Sequence, residues 1–174
     1  MIQNRRITDY EDLHGGSTPT EDADLRQFVS FVVGDQHYGV DIMAVREIKA
    51  WTGTTPLPNS PAHIRGVINL RGAIVPVIDL RKRFGHELTE ATSSHVVVIV
   101  AIGDVQNGLL VDAVSDIVTV NRKDIAPIPN MDGEDRNPYF QGLITGLETL
   151  VAIIALDQLV SHRSNDQSSN SAAA

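Results

Sequence analysis

A chain of 174 residues, 42% of them hydrophobic and with a formal net charge of −8, can bury one sizeable core or two small ones. It is too acidic for a polyanion to be its main partner, because nucleic-acid binding needs a basic face that displaces counterions. With no cysteine there is no disulfide framework, thiolate nucleophile or thiolate-held zinc, as suits a reducing compartment.

The opening residues, MIQNRRITDYEDLHGG, lack the apolar stretch of a signal peptide, and no apolar run approaches the roughly 20 residues that cross a bilayer. A cytoplasmic protein is expected. Residues 1–26 hold too few apolar side chains to offset the entropy of ordering them, which predicts a flexible polar arm. The folded part is expected over 27–160. Short runs rich in Val and Ile, bounded by turn residues, predict strands over 28–33, 37–40, 67–70, 73–78, 96–102, 108–111, 117–120, 142–145 and 150–155. After the second of these, Asp41 predicts an N-cap, with Ile42, Val45 and Ile48 on the core side of a short helix over 42–48 and Met43 and Glu47 on another flank. Pro61 predicts one turn at 62–64. Asp79 predicts a cap for a helix over 80–84 before Gly85, and Asp157 a cap for a last helix ending near His162. The polar segment SHRSNDQSSNSAAA, 161–174, predicts a second flexible end.

The chain also repeats itself. FVVGDQHYGVDIMAVREI aligns with VAIGDVQNGLLVDAVSDI in constant register, so that Gly34 falls on Gly103, Gly39 on Gly108, Val45 on Val114 and Ile48 on Ile117. Pro56 and Pro58 then meet Pro127 and Pro129, Gly66 meets Gly142, and VPVID meets IIALD. Each repeat has about five strands, too small a sheet to be stable alone, and it gains by curling into a barrel and packing on its twin. The expected fold is mainly β, two five-stranded barrel halves with a few short helices.

No catalytic motif is present: no G-x-S-x-G, phosphate loop, G-x-G-x-x-G or H-E-x-x-H. The histidines at 14, 37, 63, 86, 95 and 162 are scattered, and the loop MDGED at 131–135 lacks the alternating oxygen ligands of a calcium site. Asp79 and Asp157 occupy matching places and could be read as paired carboxylates, but helix capping explains both. What stands out is aliphatic surplus: both alternating sets in 73–78 are apolar, so one face fills a barrel and the other meets the second barrel or another protein. Pro76 limits strand addition there.

YGVDIMAVREI, PAHIRGVINLRGAIVPVIDLRKRFG and GLLVDAVSDIVTV together resemble the chemotaxis coupling protein family, CheW, over about 27–160. The resemblance implies two barrels of the Src-homology-3 type around a shared apolar groove. It also implies a noncatalytic adaptor that links the cytoplasmic hairpin tips of chemoreceptors to a histidine kinase through that kinase's own CheW-like regulatory domain, at receptor arrays on the inner face of the membrane. No cofactor, metal or nucleic acid is implied. Carried over by position, the receptor-facing residues are Val45, Glu47, Arg71 and Ile74 from the first half and Val96, Gly108, Val114 and Ile117 from the second; kinase-facing residues are not assigned. Two rival readings are an array-building module without control of the kinase, and a signalling hydrolase or phosphatase. Arg71, at the tip of the hairpin VINLRGAIVPVIDL, is expected to meet a carboxylate on a partner helix, and its repeat counterpart is read as Glu148.

Overall fold

The computed structural model describes residues 24–129 and 137–161. The expected loop at 131–135, and nearly all of the two expected flexible ends, lie outside the described residues. The strands are β1 (Leu25–Val33), β2 (Gln36–Asp41), β3 (Val45–Ala50), β4 (Ile64–Leu70), β5 (Ala73–Asp79), β6 (Val96–Ile102), β7 (Val105–Val111), β8 (Ala113–Asn121), β9 (Ile125–Ala126), β10 (Phe140–Ile144) and β11 (Val151–Ile154). Two short helices, α1 (Leu80–Arg83) and α2 (Leu156–Val160), follow β5 and β11. Among the described residues no helix is long and apolar enough to cross a membrane.

The strands form two sheets, β8-β1-β2-β11-β10-β9 and β3-β6-β7-β5-β4. Replacing β1, β2, β3, β4 and β5 by their repeat equivalents β6, β7, β8, β10 and β11 converts the second order into the first, so the sequence repeat is a structural repeat. The halves nevertheless exchange strands. β3 pairs with β6 (Val45↔Val100) and β8 with β1 (Phe31↔Val114), while β5 runs parallel to β7 and β11 parallel to β2. Each sheet thus takes two strands from one repeat and the rest from the other, so the two repeats fold only together. The expectation of five strands from one continuous stretch is corrected on this point, because long-range pairing, which residue patterns do not encode, assigns strands to sheets.

Each sheet curls toward closure by the same device. The chain leaving β3 at one edge returns to the other edge, where Thr55 bridges Val67 of β4. Likewise the chain leaving β8 forms β9 against β10. Glycine is required at the first crossing: Gly66 has φ +137°, and a Cβ there would stand 2.3 Å from the Thr55 carbonyl oxygen.

Three apolar clusters result. Phe28, Val120, Ile144, Val151 and Ile153 fill the first barrel, and Leu70, Val75, Val77, Val97, Ile99 and Leu110 fill the second. Between them lies a shared core from both sheets, including Val29, Phe31, Tyr38, Val40, Ile78, Val98, Val100, Leu109 and Ile154. Alternate residues of one strand therefore serve different cores, as Val97 and Ile99 do against Val98 and Val100. This is why β6 is apolar on both faces.

Two helix expectations are corrected. Asp41 does cap, accepting from the Met43 amide at 2.9 Å, but the helix is a single 3-10 turn, Ile42–Ala44, and Val45 is already extended at φ −76°, ψ 130°. The alternation Val-Arg-Glu-Ile-Lys-Ala then pairs with β6 as strand β3, because β-branched residues and a waiting partner strand outweigh the weak helical spacing. Ile42 and Val45 pack on the shared core, whereas Ile48 is 47% exposed. At the last helix the N-cap is Ala155, without a side-chain bond, and Asp157 lies in the first turn. The turn after Pro61 forms as expected, with the Ile64 amide donating to the Pro61 carbonyl at 2.9 Å.

Candidate functional site

The β4–β5 hairpin turns through Arg71 (φ +52°) and Gly72 (φ +87°), the two positive values of a tight type I′ connection. The Asn69 side-chain oxygen accepts from the Gly72 amide at 2.8 Å and steadies the turn. Glycine or asparagine would occupy the Arg71 position at lower cost, since a β-carbon in the left-handed region costs about 1–2 kcal/mol. A strained residue at an exposed tip points to a role for its side chain. Its Nη2 stands 3.0 Å from Glu47 Oε2, and the arginine side chain is 78% exposed.

Glu47 projects from β3, the edge of the second sheet opposite β4. The contact with Arg71 therefore links the two edges of that sheet across its open seam. Lys49 Nζ lies 3.6 Å from the other carboxylate oxygen, Oε1. Glu47 Oε2 is shut off from solvent and has no hydrogen bond of good geometry, so the carboxylate is balanced by the two neighbouring cations, with Arg71 the nearer. Such a half-exposed pair contributes only about 0–1 kcal/mol to folding. Beside it Ile74 is 66% exposed. Charge and bare aliphatic surface thus stand together at the end of one hairpin.

The structure therefore gathers Glu47, Arg71 and Ile74 and disperses the other sequence-selected residues. Val45, Val96 and Val114 are half-buried against the shared core. Ile117 is exposed on β8, in the other sheet, opposite Val29. Gly108 is buried between Val77 and Ile99, where a Cβ would come within 2.8 Å of Val97 Cγ1. It presents no surface to a partner. Gly108→Ala is expected to destabilise the fold by about 1–3 kcal/mol through overpacking. Thermal melts read this loss, and the partner affinity of the folded fraction stays unchanged.

The space between the barrels is filled by the chain's own side chains, and the exposed aliphatic side chains lie at hairpin ends, on edge strands and in connecting segments such as those of Met43, Leu57 and Leu88. Sequence reasoning missed most of these, among them Ile48, Leu147 and Leu150. Ile48, expected in the core, is the outward counterpart of Ile117 on the equivalent edge strand. Leu147 and Leu150 are exposed at the β10–β11 connection. The pairings Val77↔Gly108 and Ile153↔Gly39 make Leu150 the counterpart of Ile74 and Leu147 that of Arg71. Glu148 instead falls opposite Gly72, so the expected opposite charges at matching tip positions are corrected.

Asp79 is fully buried and structural. Its carboxylate accepts from the Lys82 amide at 3.2 Å and from the Thr89 amide and hydroxyl at 2.8 Å each, with Arg65 Nη1 3.6 Å away. Its repeat counterpart is Ala155, not Asp157, so the pair of matched carboxylates does not exist. Among the described residues no group of three or more His, Asp or Glu is placed to hold a metal.

The sequence pattern of the CheW-like domain matches residues 27–164. Chemotaxis protein CheW of Rhizobium meliloti (strain 1021) is 42% identical over 134 residues, which cover 77% of this chain and 86% of that protein. Chemotaxis protein CheW of Bacillus subtilis (strain 168) is 30% identical over 139 residues, covering 80% and 89%. The crystal structure of scaffolding protein TtCheW from Thermoanaerobacter tengcongensis matches with a TM-score of 0.71 at 34% identity, over 77% of this chain and 91% of that one. With two repeat-related barrels and the NLRG hairpin tip in place, this chain belongs to the CheW-like domain family.

Proposed function

We propose that this chain, a noncatalytic chemotaxis adaptor by its family, holds a chemoreceptor's cytoplasmic hairpin tip at the seam of Glu47, Arg71 and Ile74. The regulatory domain of a histidine kinase docks on a different face. The observation that carries this reading is the strained Arg71 at the exposed hairpin end, paired across the seam to Glu47 and adjoining bare Ile74. An adaptor acts through position: it alters kinase turnover only by making different contacts with the active and inactive assemblies. Individually weak contacts suffice where clustered receptors raise the effective concentration.

Arg71→Glu is expected to weaken receptor-tip binding by about 2 kcal/mol, measured by titration calorimetry, with kinase-domain affinity unchanged. The double variant Glu47→Arg/Arg71→Glu restores the intramolecular pair. If Arg71 contacts the receptor, the double variant remains weak; recovery of full affinity would reduce Arg71 to a fastener of the seam and remove it from the interface.

A further inference from the structure

The β4–β5 and β10–β11 hairpins are repeat counterparts, and they end differently. The pair Ile68↔Val75 of the first corresponds to Ile144↔Val151 of the second. Beyond it β10 and β11 part, whereas β4 and β5 stay paired through Asn69↔Ile74 and Leu70↔Ala73 up to the tight turn at Arg71 and Gly72. The left-handed backbone is also placed differently. In the second hairpin it falls on Gly146 (φ +90°), the counterpart of Leu70, and Leu147, the counterpart of Arg71, does not adopt it. Among the described residues Asn59 and Arg71 are the non-glycine residues with positive φ, and asparagine tolerates that region better than arginine.

The bond that steadies the turn belongs to the first hairpin alone. Asn69 Oδ1 accepts from the Gly72 amide at 2.8 Å, closing a ring around Leu70 and Arg71. Thr145 stands at the equivalent place in the second hairpin, but its hydroxyl donates to the carbonyl of Asp124, just before β9, at 3.3 Å. Asn69 is itself exposed, so the apolar core does not account for it. The hairpin whose tip carries an exposed arginine in a strained conformation is thus the one whose turn is locked by a side chain. Where an aliphatic residue stands in the arginine's place, the positive φ moves to a glycine and no such lock is present.

We propose that Asn69 is a positioning residue for receptor binding: by holding the Gly72 amide it keeps Arg71 in the left-handed conformation from which its guanidinium lies across the seam, beside Glu47 and Ile74. This rests on the receptor-facing reading of that seam. Without the bond, the turn samples conformers that relieve the strain at Arg71, and apparent affinity falls with the fraction of chains still in the binding geometry.

A double-mutant cycle tests this with the full chain and a soluble chemoreceptor fragment carrying the cytoplasmic hairpin tip, read by titration calorimetry. Asn69→Ala should weaken binding about threefold to tenfold, the scale of a single hydrogen bond's net effect, with the melting temperature nearly unchanged. In an Arg71→Ala background the same substitution should add nothing, because the side chain it aims is gone. Nuclear magnetic resonance reads the turn itself. The strong intraresidue amide–Hα cross-peak of a positive φ at Arg71 should weaken in Asn69→Ala and persist in Asn69→Asp, which keeps the acceptor oxygen. An equal loss of affinity in both backgrounds would make Asn69 a direct contact and overturn the proposal. So would a cross-peak unaltered in Asn69→Ala or lost in Asn69→Asp. If Arg71→Ala itself binds at full strength, the receptor-facing reading falls and this inference with it; weak binding by Arg71→Ala beside full affinity in Asn69→Ala sinks the inference alone.

Discussion

Gly66→Ala is expected to cost more than about 3 kcal/mol of folding stability. Two terms add. The backbone at φ +137° lies where an L side chain costs roughly 1–3 kcal/mol. The new Cβ would also stand 2.3 Å from the Thr55 oxygen and 2.7 Å from its carbonyl carbon. Both are backbone atoms, fixed by the reciprocal Thr55–Val67 bonds of 2.9 and 2.8 Å, so no rotamer change relieves the clash. The crossing that brings the second sheet toward closure must open. A domain of this size has about 5–15 kcal/mol in all, so the melting temperature should fall by about 6–12 °C. Gly34→Ala is the control. Its φ is +62° with nothing within 4 Å of the new atom, and it should lose only about 1–2 kcal/mol. Similar losses at the two sites would mean that the crossing is not the constraint.

Asp79→Ala is expected to cost about 3–5 kcal/mol, because it removes a fully buried carboxylate that accepts three hydrogen bonds and faces the Arg65 guanidinium 3.6 Å away. Substitution strands the Thr89 amide and hydroxyl, uncaps α1, and leaves Arg65 facing an empty space. The effect is directional as well as large: the segment between α1 and β6 loses its anchor. Hydrogen exchange at Thr89 should accelerate far more than at Leu109 in the shared core. Asp79→Asn keeps the volume and one acceptor oxygen and should lose less. Uniform acceleration across both sheets would show that Asp79 supports the whole fold rather than this segment.

How much of this was legible in the sequence follows from the range of the interactions. β6 was read to the residue because its seven apolar positions leave no alternative. Asp41 and Asp79 were read as caps because capping is a local bond between near neighbours. β3 was not, since Ile42, Val45 and Ile48 mimic one helical face over a stretch too short to separate two periodicities. β9, with two residues, carries no pattern at all. Exchange of strands between the repeats left no local signature, because neither repeat's residues name their partners. At the site, Glu47, Arg71 and Ile74 were selected by resemblance and brought together by the fold. Gly108 was selected for the same reason and turned out to face inward: a glycine that lets Val77, Val97 and Ile99 close together reads, in one dimension, like a surface position.

The central claim is that the protein transmits receptor state to a kinase through the Glu47–Arg71–Ile74 seam. Reconstitution of receptor-bearing vesicles with the kinase, followed by kinase autophosphorylation with and without attractant, tests it most directly. With wild-type protein, attractant should change the phosphorylation rate; with Arg71→Glu, the kinase should still bind the adaptor but stop responding. Attractant control that persists without the protein, or that survives Arg71→Glu undiminished, would contradict the claim.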